Sequence, residues 1–323
     1  MPRYDEDEKR PFNLRVWKKL FPFLRPYKGY LIFLVAAQLL CAAIDISYPL
    51  FQRYAIDEFI RGGNVENVPA FTGVYLAVLV FQVLLVIGFC RAAMRIEMSL
   101  GRDLKQKTFV HLQTLSFSYY NTTPVGYILA RTMSDTNRIG GLVGWSLQDM
   151  LWALAYVLGV FISMLVLNWK MALLVISVVP FIAVLTVVFQ RRILNLNRRI
   201  RRINSVMTGA FNEGITGART SKTLVIEDRN AAGFREISAD MYRASVRATS
   251  LNALYIPIVL FFSSLASAFV LARGGYMVTQ SLMDFGTLSA FISYAINIFE
   301  PIQQIARIIA DVISAQANIE RVT

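Results

Sequence analysis

Apolar residues are gathered into long runs, and polar ones into the stretches between. A helix needs about twenty apolar residues to cross a bilayer. Six runs meet that length: 30–51, 69–90, 141–167, 171–190, 251–272 and 285–305. None alternates apolar and polar residues over about ten positions, as a barrel strand does. The pattern predicts an all-α membrane protein of six long transmembrane helices.

The stretches between the runs are unequal. Positions 91–115 and 191–207 mix charged and apolar residues at helical spacing and contain no proline. At about 1.5 Å per residue, such helices carry their spans roughly 25–35 Å beyond the membrane. The connection around 168–170 is only a few residues long. Four helical stalks therefore project to one side, and little lies on the other.

Charge gives the orientation. The first long connection holds Arg91, Arg95, Arg102, Lys105, Lys107, Arg131 and Arg138. The second holds twelve basic residues between Arg191 and Arg247, whereas the opposite side offers Arg53, Arg61, Lys170 and Arg273. Cytoplasmic loops carry the excess of Lys and Arg, so both termini and both stalk pairs are expected in the cytosol. The same distribution accounts for the net charge of +12 without nucleic acid. Positions 1–11 alternate acidic and basic residues and read as a disordered cytosolic tail; 12–28 read as an amphipathic helix in the inner interface. The chain proper then runs from 29 to 323.

Cysteine and histidine add little. Cys41 and Cys90 lie in apolar runs, and neither spacing makes a disulfide framework or metal site. His111 reads as a surface or interhelix residue, so no metal is expected.

Each stalk pair needs a tip. The first falls at about 117–124, where Asn121, Thr122, Thr123, Pro124 and Gly126 cluster as helix breakers. Arg131 and Asp135 follow four apart, in the weaker order for a helical ion pair, which suggests a tertiary role for Arg131. The second tip falls at about 218–224, behind Gly214 and Gly217. Polar residues inside spans face a cavity or a partner helix more often than lipid. Candidates for a substrate pathway are Asp45, Asp149, Asn297, Glu300, Gln303 and Gln304, with Pro301 placed to kink the sixth span. Two acids in inner halves, Asp149 and Glu300, suit a cationic amphiphile. Arg91 and Arg95 near the inner interface suit snorkelling or anionic headgroups.

These residues carry a resemblance. Tyr119-Tyr120-Asn121, Pro124, Gly126, Arg131 and Asp135 resemble the first cytosolic loop of ABC exporters. Glu213, Gly217, Lys222 and Glu227, with Phe234 beyond, are similar to the second, and Leu224, at the end of the second tip, is a further coupling candidate. Asn168-Trp169-Lys170 with Pro180, the stretch from Gly274 through Phe285-Gly286-Thr287-Leu288 to Pro301, and Arg321-Val322 match further pieces in order. Asn121 stands where the family usually has an acid, and Tyr127 where an acid is common. The resemblance implies the type IV exporter fold, with two six-helix domains in a domain-swapped dimer and spans four and five packed on the other copy. It makes both tips coupling helices that dock on nucleotide-binding domains. It also implies ATP and Mg2+ on a motor domain, fused beyond Thr323 or on a separate chain.

A phosphate-binding loop needs glycines before its Lys-Ser/Thr pair. The two Lys-Thr pairs here, Lys107-Thr108 and Lys222-Thr223, follow Gln106 and Ser221. No ATPase site or other cofactor is expected on this chain. The expected partners are a second copy or a homologous half-transporter, a nucleotide-binding domain and membrane lipid, in a bacterial inner membrane. The implied function is outward movement of a lipid-like, drug-like or peptide substrate by alternating access. Two rivals stay open: an ion-coupled transporter using Asp45, Asp149 or Glu300, and a fragment or scaffold without transport of its own.

Overall fold

The computed structural model describes residues 14–322; the expected tail at 1–11, the first two residues of the interfacial helix and Thr323 lie outside the described residues. Among the described residues there is helix and turn, and no strand. Helix α1 is Leu14–Leu24, followed through one tight turn by α2, Lys28–Ala55. Then come α3 (Val68–Gln113), α4 (Phe117–Thr122), α5 (Val125–Leu129), α6 (Thr136–Gly141), α7 (Leu147–Thr216), α8 (Ala218–Leu224), α9 (Glu227–Thr279), α10 (Phe285–Asn297) and α11 (Phe299–Val322). Wide helical turns at Ala130–Asp135 and Leu142–Ser146 join α5, α6 and α7 into one near-continuous rod.

All six apolar runs fall in helix, but not one run to one helix. Among the described residues, four continuous stretches are long and apolar enough to cross a membrane: Val16–Arg61, Val68–Gln113, Val125–Thr216 and Glu227–Thr279. The third holds two of the predicted runs, and its helix breaks at Asn168, whose backbone is extended (φ −162°, ψ 104°). The Asn168 carboxamide oxygen accepts the Met171 amide hydrogen at 3.2 Å. A side-chain acceptor for an otherwise unpaired amide is what starts a new helix. The sixth run is divided between α10 and α11 at Ile298. Pro301 has no amide hydrogen for the Asn297 carbonyl and crowds it, which breaks a helix four residues upstream.

The chain forms two compact units, residues 174–269 and the remainder. In the larger unit α2 and α3 run antiparallel. A buried core of Leu34, Ala37, Ala93, Ile96, Leu100 and Ile139 joins α2, α3 and α6. Small residues set the spacing there: a Cβ on Gly144 would lie 3.0 Å from the Ala93 carbonyl oxygen. In lipid, close backbone approach of this kind replaces the hydrophobic effect as the source of helix association. Trp145 closes the layer by donating its indole N–H to Glu97 at 2.8 Å. At the far end of α2, the Asp57 carboxylate accepts the Gly286 amide hydrogen at 2.8 Å and so fastens the start of α10.

The smaller unit is a long antiparallel pair. Phe181 meets Phe262, Phe189 meets Tyr255, and Phe211 meets Phe234. The two residue numbers in each pair sum to nearly one value, as an uninterrupted antiparallel register requires. The Tyr255 hydroxyl donates to Thr186 at 3.1 Å inside it. The pair ends at α8.

Candidate functional site

A cavity of about 590 Å³ opens in the larger unit between α2, α3, α7, α10 and α11. Asp45, Asn297 and Glu300 line it, together with Trp152, Tyr156 and Ser293. Residues from the first, third and sixth predicted spans thus meet at one space. Its other walls are largely aromatic, including Phe71 and Tyr75 from α3.

Asp45 is the most constrained member. Its carboxylate accepts the Gln82 amide at 2.8 Å and the Trp152 indole N–H at 2.9 Å. The Tyr48 hydroxyl donates to the other end of the Gln82 carboxamide. Bonds with one ionised partner are about twice as strong as neutral ones. Three helices are therefore joined at Asp45, and Trp152 is further fixed by stacking on Tyr156 at 5.4 Å. From α10, Ser293 donates to the Gln52 carboxamide oxygen at 3.1 Å, and the buried Tyr294 donates to the Ile46 carbonyl at 2.7 Å. Asn297 and Glu300 are exposed to the cavity side, at the break that Pro301 creates.

Two of the other candidates meet elsewhere. Asp149 lies beside the Gln304 carboxamide and Arg307, where α7 faces α11. It does not line the cavity, and neither does Gln303, which is half-buried on α11. Gln82, Tyr48, Trp152, Tyr156 and Glu97 escaped the sequence reading. Aromatic residues and one glutamine in a span carry no charge signal, and Glu97 lies just past the end of a predicted run.

Both tips are short helices. Helix α4 carries Tyr119, Tyr120 and Asn121. It ends because Thr123 is held extended (φ −109°, ψ 121°), the conformation a residue before proline prefers. Tyr119 and Tyr120 pack edge to face, and the Tyr120 hydroxyl donates back to the Leu112 carbonyl of α3 at 2.5 Å. Phe117 is 89% exposed, and Asn121, Pro124 and Gly126 are exposed with it. Arg131 lines a second cavity together with Tyr119 of the tip, while Asp135 is buried.

Helix α8 starts behind Gly217 and stops at Val225. The Ile226 amide bonds the Ser221 carbonyl at 3.1 Å, and the Val225 amide bonds the Lys222 carbonyl at 3.4 Å. That pair of bonds is a Schellman cap, whose left-handed position usually holds glycine. Here it holds Val225, at φ 52° and ψ 49°. Lys222 bridges to Glu227 at 2.9 Å. The Lys222 ammonium bonding Glu227 holds its carboxyl below the usual range. Leu224 and Val225 stand out at 60% and 82% exposure.

Neither Lys-Thr pair fits a nucleotide phosphate. Lys107-Thr108 lies inside α3 and Lys222-Thr223 inside α8. Their backbone amides are committed to helical hydrogen bonds and make no cradle.

The chain is similar to several known proteins along most of its length. It is 25% identical to YgaD of Bacillus subtilis, provisionally named a multidrug export ATP-binding/permease protein, over 95% of this chain and 54% of that one. It is 22% identical to the ATP-dependent lipid A-core flippase of Desulfotalea psychrophila, over 96% of this chain and 54% of that one. It is 25% identical to the uncharacterized ABC transporter ATP-binding protein YknV of Bacillus subtilis, over 99% of this chain and 54% of that one. The chain spans about half the length of these curated relatives. The model of the ABC transporter transmembrane region matches residues 31–302, a stretch that includes the cavity and both tips, and the chain is a multi-pass membrane protein belonging to that family.

Proposed function

We propose that this chain is the membrane-spanning half of an ATP-driven exporter that moves its substrate outward by alternating access. The observation that carries the reading is that each long helical pair ends in a short exposed helix, α4 or α8. A stalk with a small apolar tip at its end suits transmission of movement from a separate domain. The docking groups are Tyr119, Tyr120, Asn121, Pro124 and Gly126 on the first tip, and Gly217, Lys222, Leu224 and Glu227 on the second. Arg131 and Asp135 position the first tip from behind. The motor domains, with their ATP and Mg2+, lie on a continuation of the chain or on another chain. A second copy or a homologous half completes the pathway, and residues 174–269 are the segment exchanged with it. Both termini face the cytosol of a bacterial inner membrane.

The cavity at Asp45, Asn297 and Glu300 is the substrate contact. Relatives named for multidrug export and for lipid flipping support a drug-like or lipid-like cargo, with peptide as a third class. Two carboxylates among aromatic rings favour a cationic, partly apolar molecule, because cations bind both carboxylates and ring faces. The acid pair is then Asp45 and Glu300 in place of Asp149 and Glu300.

The test is transport in liposomes holding this chain together with its nucleotide-binding domains. ATP is expected to drive accumulation of a fluorescent lipophilic cation, and Glu300→Gln to reduce it several-fold. Removing the exposed Phe117, Leu224 and Val225 side chains should abolish uptake while the dye still binds. Uptake driven by a pH gradient without motor domains would overturn the reading in favour of an ion-coupled transporter.

A further inference from the structure

Beside the first tip lies a second cavity, of about 580 Å³, walled by α1, the distal part of α3, α4 and the rod that begins with α5. Four basic side chains line it: Lys19 from α1, Lys107 and His111 one turn apart on α3, and Arg131 from the turn after α5. No carboxylate of the described residues lines it. None of the four takes part in an ion pair recorded among the described residues. The acid closest along α3, Asp103, is taken up by the Tyr27 hydroxyl at 2.5 Å and the Arg102 guanidinium at 2.8 Å.

Like charges brought together from three separate elements repel; among the described residues the acid that acts on Lys107 is Asp103, and it is shared with Tyr27 and Arg102. The other polar groups on the walls include the hydroxyls of Thr108 and Thr132. Lys107 is held in place over the Phe23 ring, 4.2 Å from its centroid. The Thr132 hydroxyl already donates to the Ile128 carbonyl at 2.9 Å, and the ammonium and guanidinium donors brought in from three elements match an anion with several oxygens.

We propose that this cavity binds a phosphate group, separately from the substrate cavity and from any nucleotide site. Its place beside α1 points to where the phosphate comes from. The bond between Tyr27 and Asp103 ties the turn after α1 to the stalk part of α3. Lys107 and His111 then lie about 6 and 12 Å further along α3, at 1.5 Å per residue. Helix α1, which supplies Lys19 and Phe23 to the walls, has the amphipathic pattern of an interfacial helix, and it is this helix that brings headgroups within reach of the long basic side chains. A lipid headgroup and a soluble phosphate present the same chemistry to these donors. Because Tyr119 of α4 lines the same cavity, occupancy bears directly on the first tip.

The test uses the full chain in nanodiscs of phosphatidylcholine, with or without phosphatidylglycerol, and reads retained lipid by native mass spectrometry. Preferential retention of phosphatidylglycerol is expected. It should fall several-fold in Lys107→Gln/Arg131→Gln, fall less in Lys19→Gln, and recover in Lys107→Arg/Arg131→Lys. In a second arm, pyrophosphate is titrated by calorimetry onto the chain in phosphatidylcholine alone. Saturable binding lost in the same double variant identifies a soluble source. Arg198→Gln/Arg201→Gln removes equal charge from the other stalk and should change neither readout. If that control loses as much as the double variant, or if neither probe binds in a way the double variant abolishes, the site does not exist. Because these are binding readouts, they stand or fall independently of transport.

Discussion

The Asp45 junction allows a quantitative test. Asp45→Ala removes the acceptor for two donors, the Gln82 amide and the Trp152 indole N–H. Hydrogen bonds to charged groups contribute about 1.5–3 kcal/mol each in soluble proteins. Between membrane helices the measured average is about 0.6 kcal/mol and the maximum about 1.7, because the unfolded chain in lipid also finds partners. Two such bonds give an expected loss between about 1 kcal/mol at the average membrane value and about 3.4 kcal/mol at the maximum. Trp152→Phe keeps a ring against Tyr156 and removes one donor, for about 1–2 kcal/mol. The assay is reversible unfolding in mixed micelles, followed by helical circular dichroism, for the wild type, both single variants and the double. If the bond exists, the double variant is less destabilised than the sum by about 1 kcal/mol or more. Independent sites add within about 0.3–0.5 kcal/mol. Additivity within that margin would refute the claim that Asp45 joins the first and third spans.

Three other predictions concern the ends of the helices. Gly286→Ala places a Cβ against the Arg53 carbonyl and the Asp57 carboxylate; overpacking of this kind costs about 1–3 kcal/mol, measurable in the same unfolding assay, and a neutral result would refute the close approach. Val225→Gly relieves a left-handed residue, worth about 1–2 kcal/mol against a glycine entropy cost of about 0.5–1, so the Ile226 amide should exchange more slowly; faster exchange would show that the cap is unstrained. Glu227 titrates below its ordinary 4.5 because Lys222 bonds its ionised form. The contribution of that bond is therefore present above the unfolded-state value and lost as pH falls through the folded one. In Lys222→Gln the Glu227 titration, followed by carboxyl NMR, should move up towards 4.5; no movement would remove Lys222 as the cause.

Much of the fold was legible because its causes are local. Span-length apolar runs, Pro124 and Gly217 act through the nearest few residues: the runs lie in helix, and the short helices α4 and α8 fall beside Pro124 and Gly217. Asn168 was legible as a connection, though its role as the acceptor that starts a new helix needed the backbone. Pro301 was legible as a kink; that the break falls between α10 and α11 follows from the missing amide at one turn's distance.

The pathway residues separate what each level decided. By itself the sequence marked Asp45, Asn297 and Glu300 as polar groups in spans, and it marked Asp149, Gln303 and Gln304 in the same way. Tertiary structure alone divided that set, because what a polar side chain meets depends on the register between helices distant in the chain. Asp45 finds Gln82 and Trp152, 37 and 107 positions away. Tyr294 reaches Ile46 across 248 positions. Such registers are set by small residues that let backbones approach, and by shape matching over whole helix faces. No window of local sequence contains either.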